Sequence, residues 1–217
     1  MPNTMKNFSY ALVLLAAIAA PHVHAAGDVA RGQKQAAMCI GCHGIAGYQA
    51  SFPEVHRVPM ISGQTAGYIT AALQAYAKGE RRHPTMKGIS TSLSEQDMAD
   101  LGAFYAQHGG AQAAPETVPA PSPAVAKLLE QGACVSCHGA NFSKPISDAY
   151  PKLAGQHADY LYVALKSYQS NAPTHGRSNG IMQGQVKRYS HAELKAMAKY
   201  LGSLPGELKT VPQSRFR

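Results

Sequence analysis

The hexapeptide Cys39-Ile-Gly-Cys42-His43-Gly44 returns at Cys134-Val-Ser-Cys137-His138-Gly139, 95 positions later. Pro59-Met-Ile-Ser-Gly63-Gln64 returns as Pro151-Lys-Leu-Ala-Gly155-Gln156. Tyr68 and Tyr76 return as Tyr160 and Tyr168, Met86 as Met182, and Ser94 as Ser190. The landmarks keep their order, so the chain contains two copies of one unit. A repeat this long is a duplicated domain rather than a solenoid turn. Whatever one copy folds into must therefore form twice within 217 residues, a length that holds two small domains.

Before the first copy, Lys6 precedes an apolar run from Ala11 to Ala20, and Val23-His24-Ala25 ends the segment. A positive start, a short apolar stretch and small residues at the end predict an export signal at 1–25, cleaved after Ala25. The run is too short to span a membrane. The first domain is then 26–112, and the second is 123–217. Between them, 113–122 is rich in proline and reads as an extended, semi-rigid spacer.

Within each copy the apolar spacing is helical. Tyr68, Ala72, Leu73 and Tyr76 share one face, as do Tyr160, Ala164, Leu165 and Tyr168. Asp28 can cap a helix running toward Met38, and Ser122-Pro123 opens another. Ser190 to Glu193 is a capping box before Leu194, and Ser94 to Asp97 is a weaker version. No useful strand alternation is visible, so the predicted class is all-α.

Two thiols at this spacing followed by His match c-type haem attachment, with the thiols as thioethers and the His directed at the iron. A thioredoxin-like pair needs a βαβ setting that is missing here. A zinc site joining the four cysteines would leave both histidines unexplained. A plain disulfide is the simplest alternative for each pair. Recurrence of the whole unit in an exported chain favours two covalent haem c groups. They would be held by Cys39, Cys42, Cys134 and Cys137, with His43 and His138 as axial ligands.

The other axial position can be argued from the repeat itself. Met98 corresponds to Leu194 and Leu101 to Met197, so those methionines read as core. Only Met86 and Met182 recur as Met, in the polar segments His83–Gly88 and Gly180–Gly184, which read as loops. They are the candidate second ligands, with His83 and His175 as rivals. His56, His108, His157 and His191 have no counterparts and read as surface residues. With both axial positions filled by protein, the chain is expected to move electrons rather than catalyse a reaction.

Together these residues resemble class I cytochromes c, and specifically the tandem dihaem cytochrome c4 family, over essentially the whole chain beyond residue 25. The resemblance implies two tandem class I cytochrome c-type domains, each of about three or four short helices around a covalent haem. It implies that Pro59 and Pro151 accept a hydrogen bond from the axial histidines, and that Ile61 and Leu153 pack on the haem face. It also implies electron shuttling in the periplasm, commonly toward a haem-copper terminal oxidase, with loose membrane association. Gly32 resembles the family's close helix crossing. Lys127 stands opposite it in the second copy, so that crossing must differ.

Two alternatives stand beside a free carrier. One is the electron-accepting cytochrome subunit of a periplasmic dehydrogenase. The other is a dihaem oxidoreductase with a labile sixth ligand. The formal charge of +8 also invites a nucleic-acid reading, but no basic run exceeds two residues and the compartment is wrong. The charge is uneven instead. Residues 26–112 hold seven Lys and Arg against six Asp and Glu, and residues 123–217 hold twelve against five. The second domain is thus expected to meet an acidic partner or an anionic membrane surface.

Overall fold

The computed structural model describes residues 26–110 and 113–212. The export segment and its cleavage site after Ala25 lie outside them. Within the described residues the first copy forms α1 (Val29–Gln35), α2 (Ala37–His43), α3 (Ala66–Lys78), α4 (Pro84–Ser90) and α5 (Glu95–Gln107). The second forms α6 (Pro123–Gln131), α7 (Cys134–His138), α8 (Ala158–Gln169), α9 (Gly180–Val186) and α10 (His191–Ser203). The architecture is all-α, as the spacing predicts. The exception is a two-residue antiparallel ladder in which β1 (Gln49–Ala50) pairs with β2 (His56–Arg57).

The caps explain where helices begin. Asp28 accepts from the Arg31 N–H at 2.8 Å, and Ser122 accepts from Val125 at 3.4 Å with Pro123 following it. Both Ser94 and Ser190 make complete capping boxes, so the first is no weaker in kind than the second. The first helix does not run unbroken to Met38. It stops at Gln35, and Ala36 links it to α2.

α5 is the spine of the first domain and packs on α1 and α3. Its core holds Ile69, Leu73, Met98, Leu101, Phe104 and Tyr105. α10 plays this part in the second domain, against α8 and α6, with Leu161, Leu194, Met197 and Leu201 buried. Met98 and Met197 are each 3% exposed, and they fill core positions as their exchange with leucine predicts.

α1 lies so close to α5 that a Cβ on Gly32 would stand 2.1 Å from the Asp100 carbonyl oxygen. Lys127, on α6, is exposed, and Val125 and Leu129 make the buried contacts of that helix instead. The crossing therefore differs between the copies, as the sequence requires.

The proline-rich segment is docked rather than a bare spacer. The Ala114 N–H donates to Glu207 at 3.3 Å, Asn141 donates to the Pro115 carbonyl at 3.1 Å, and the Tyr200 hydroxyl donates to the Pro119 carbonyl at 2.9 Å. The tail of the second copy crosses the other way. The Lys209 N–H donates to the Ser62 carbonyl of the first domain at 3.0 Å. Among the described residues, no helix is long and apolar enough to cross a membrane.

Candidate functional site

All twelve residues singled out from sequence line one continuous cavity of about 790 Å³ between and within the two domains. From the first copy these are Cys39, Cys42, His43, Pro59, Ile61 and Met86. From the second they are Cys134, Cys137, His138, Pro151, Leu153 and Met182.

Helix geometry arranges the cysteines and histidines. α2 and α7 each carry the two thiols on neighbouring turns and end at the His. The His43 Nδ1–H donates to the Pro59 carbonyl at 2.8 Å, and the His138 Nδ1–H to the Pro151 carbonyl at 3.1 Å. Those bonds fix each ring and leave Nε2 as the acceptor nitrogen. Burial pushes both imidazoles below the usual histidine range, against the pull of the proline carbonyls. They are therefore neutral and able to ligate a metal. Burial likewise raises the Cys39 and Cys134 thiols.

Met86 and Met182 are not in loops. They sit on α4 and α9, seven-residue helices, and each packs against the core of its own domain. The bounds of the two helices correspond, Pro84 to Gly180 and Ser90 to Val186. The Met86 N–H is capped by the His83 ring at 3.5 Å, and the Met182 N–H by the Asn179 side chain at 3.0 Å. His83 thus stands where the second copy uses Asn179, which gives it a capping role. His175 lines the cavity with its ring against Phe52 at 6.1 Å. His56 departs from the surface reading: it is 6% exposed, bonded to the Glu54 carbonyl and set against the Tyr160 ring.

This donor set fits haem c. Each half of the cavity offers two free thiols, one oriented neutral imidazole and one thioether, with apolar residues between them. A shared zinc site is a poorer match, because among the described residues no three His, Cys, Asp or Glu side chains gather as a metal cluster.

Two further pairs were visible in the sequence only as recurring letters. The Gln64 amide accepts from the Lys152 N–H at 2.8 Å and donates to the Lys152 carbonyl at 3.0 Å. Gln156 does the same with Met60, at 3.0 and 2.8 Å. Each copy thereby clamps the other's backbone. Arg81 and Arg177 face each other across the same junction in a short antiparallel bridge, among Tyr68, Tyr76, Tyr160 and Tyr168. Recurrence at a fixed offset was the signal available for both pairs.

The cytochrome c family pattern matches residues 29–108 and 123–205. The chain is similar to cytochrome c4 of Azotobacter vinelandii, 32% identical over 204 residues, which cover 83% of this chain and 91% of that protein. It is also similar to a thiosulfate dehydrogenase electron acceptor of Stutzerimonas stutzeri, at 28% identity over 80% of this chain and 82% of that one. Among solved structures it resembles reduced recombinant cytochrome c4 from Pseudomonas stutzeri. The TM-score is 0.63 and the identity 28%, with 82% of this chain and 100% of that chain covered.

Proposed function

This chain belongs to the cytochrome c family, and from that membership we propose that it is a periplasmic carrier of single electrons between a respiratory donor and a terminal oxidase or other acceptor. It binds two covalent haem c groups, one in each repeat. Haem iron supplies the redox chemistry by changing its oxidation state. The protein's part is to attach, orient and shield. Cys39 and Cys42 hold the first haem through thioethers, and Cys134 and Cys137 the second. His43 and His138 would ligate the iron through Nε2, with their tautomers held by the Pro59 and Pro151 carbonyls. Met86 and Met182 would be the second protein ligands, and with them bound the iron would have no position for a substrate. Ile61 and Leu153 line the cavity beside them.

The observation that carries this reading is the repetition of one arrangement: an imidazole locked by a proline carbonyl, and a methionine on a short capped helix lining the same cavity. A redox titration with spectra should count two haems, each with a Met–iron signature. Met182→Ala should abolish one signature and keep the other. Two surviving signatures would transfer the role to another methionine, and a wild type with a single Met–iron signature would transfer it to His175. Rapid binding of carbon monoxide by the native protein would overturn the carrier reading in favour of an oxidoreductase with a labile ligand.

The relative named as a thiosulfate dehydrogenase electron acceptor favours a second reading, a dedicated acceptor for a periplasmic dehydrogenase. In either reading the second domain docks an acidic partner. Its exposed cations are Lys127 on α6, Lys187 and Arg188 just after α9, and Lys195 and Lys199 on α10. Reduction by one dehydrogenase only, with no transfer to an oxidase, would select the dedicated acceptor.

A further inference from the structure

The residues just before the two methionine helices form one ribbon across the junction. Arg82 corresponds to Ser178 and Glu80 to Gly176, around the bridge between Arg81 and Arg177. The Arg82 N–H donates to the Gly176 carbonyl at 3.0 Å, and the Ser178 N–H to the Glu80 carbonyl at 2.6 Å. The central residues turn the other way. The Arg81 N–H donates to the Ala75 carbonyl of α3 at 3.0 Å, and the Arg177 N–H to the Ser167 carbonyl of α8 at 2.9 Å. Each strand is tied to its own repeat at its centre and to the other repeat at its ends.

The connections that carry these strands differ in length. Residues 79–83 join α3 to α4, and residues 170–179 join α8 to α9. The longer one turns back on itself, with the Gly176 N–H donating to the Ala172 carbonyl at 3.1 Å. Arg82 grips this connection from the other repeat. Its guanidinium donates to the Ala172 carbonyl at 3.1 Å and to the Ser178 hydroxyl at 3.4 Å. A Cβ on Gly176 would stand 2.5 Å from the Ser170 carbonyl oxygen and 3.0 Å from Arg82 Nη1, so the approach requires glycine.

Both methionine helices start from this ribbon. Arg82 is followed by His83, which caps the Met86 N–H, and Ser178 by Asn179, which caps the Met182 N–H. Gln183, the neighbour of Met182, donates back to the Arg177 carbonyl at 3.1 Å. A seven-residue helix does not hold its place by propensity, so where each one starts largely decides where its methionine lies.

We infer that the ribbon of residues 80–82 and 176–178 positions Met86 and Met182 jointly, with Arg82 as the principal positioning residue, so that each methionine's hold on its iron depends on the other repeat. The inference rests on the reading of both methionines as axial ligands. A shared element has a consequence that two independent domains lack: a substitution in the ribbon of one repeat must loosen the methionine of the other.

The test uses the exported, haem-loaded full chain and follows imidazole displacing methionine from the oxidised iron, read by stopped-flow as loss of the Met–iron absorbance. Met86→Ala and Met182→Ala come first. Each must lose one signature and keep the other; failure here overturns the ligand reading, and the joint positioning with it, before the ribbon is touched. Arg82→Ala is then placed in the Met86→Ala chain, where the remaining signature belongs to Met182. Ser178→Pro, which deletes the N–H bonded to Glu80, is placed in the Met182→Ala chain, where the remaining signature belongs to Met86. The expected result in each is displacement roughly tenfold faster than in the parent chain, the size of one or two lost hydrogen bonds. Arg82→Lys, which keeps the charge and loses the fork, should fall between Arg82→Ala and the parent. Unchanged displacement in either chain overturns joint positioning, and so does a Lys variant identical to the parent, which would assign the effect to charge. If the Ser178→Pro chain does not assemble, Arg82→Ala is read by the same criterion.

Discussion

Asp100 offers a quantitative test of how the first domain is held together. Its carboxylate is 1% exposed and faces the α1–α5 crossing. It accepts from the Asp28 N–H at 2.7 Å, from Arg31 Nε and Nη2 at 2.6 and 3.0 Å, and from Gln96 at 2.8 Å. The Arg31 bonds are the main cause that lowers the carboxyl, and it lies at about 2 against an ordinary 3.8. A depression of that size corresponds to about 2.4 kcal/mol of stabilisation, or about 1–2 kcal/mol once the half-exposed Arg31 is screened by solvent. Because the folded value is depressed, this stability is present above the unfolded value and is lost as pH falls toward about 2. Asp100→Asn keeps the shape and removes the charge. Denaturant midpoints should show the variant less stable by about 1–2 kcal/mol near neutral pH, with the gap closing at about pH 2. The second domain has Ala196 at the corresponding position and provides an internal control. A gap that persists unchanged at low pH would refute the electrostatic account and leave only packing.

Gly32→Ala should destabilise the first domain by about 2–3 kcal/mol or more, because its Cβ would meet backbone and the Phe104 side chain. Lys127→Ala should be nearly neutral, and thermal unfolding distinguishes the two. Gln64→Ala strips the Lys152 N–H of its partner and should cost about 1–3 kcal/mol. Hydrogen exchange should quicken at the Lys152 amide while the Met60 amide, held by Gln156, stays protected; equal quickening would mean the two clamps are not independent. Replacing Lys195 and Lys199 together by Glu should slow electron transfer with an acidic redox protein at low salt and matter less at high salt. A wild-type rate indifferent to ionic strength would remove the electrostatic docking idea.

What the sequence makes legible here is what repeats or what caps. The helix starts at Asp28, Ser94, Ser122 and Ser190 follow from side chains that satisfy free backbone N–H groups, a local effect. The helical state of α4 and α9 is not legible, because seven residues with a glycine inside each have little intrinsic propensity. Their caps and the packing of Met86 and Met182 supply what propensity lacks. The docked linker is hidden for another reason. Its contacts use the carbonyls of Pro115 and Pro119, and no residue type announces a carbonyl's partner. His56 is buried by a neighbour from the other repeat, Tyr160, a pairing that no periodicity encodes. Gln64, Gln156, Arg81 and Arg177 recur in the two copies, yet their partners lie across the junction. Recurrence marks such residues as constrained without saying by what.

The way the copies meet explains which positions were free to diverge. Across the junction the Gln64 and Gln156 amides bond the backbone N–H and carbonyl of residues 152 and 60, and not their side chains. The side chains at those two positions are therefore not fixed by the clamp, and one became Met60 while the other became Lys152. Met60 lines the cavity. Lys152 instead ion-pairs with Glu207 and donates to the Gly63 carbonyl at 2.9 Å. Glu207 also receives the Ala114 N–H of the linker, so one pair joins the tail, the linker and both repeats. A symmetric junction thus carries asymmetric surroundings. The backbone clamps are the same in both directions, while the second domain keeps a net charge of +7 against +1 for the first, from twelve basic and five acidic residues against seven and six. Equivalent ligands in inequivalent fields should give two different midpoint potentials. The differing residues make that difference without disturbing the contacts that hold the pair together.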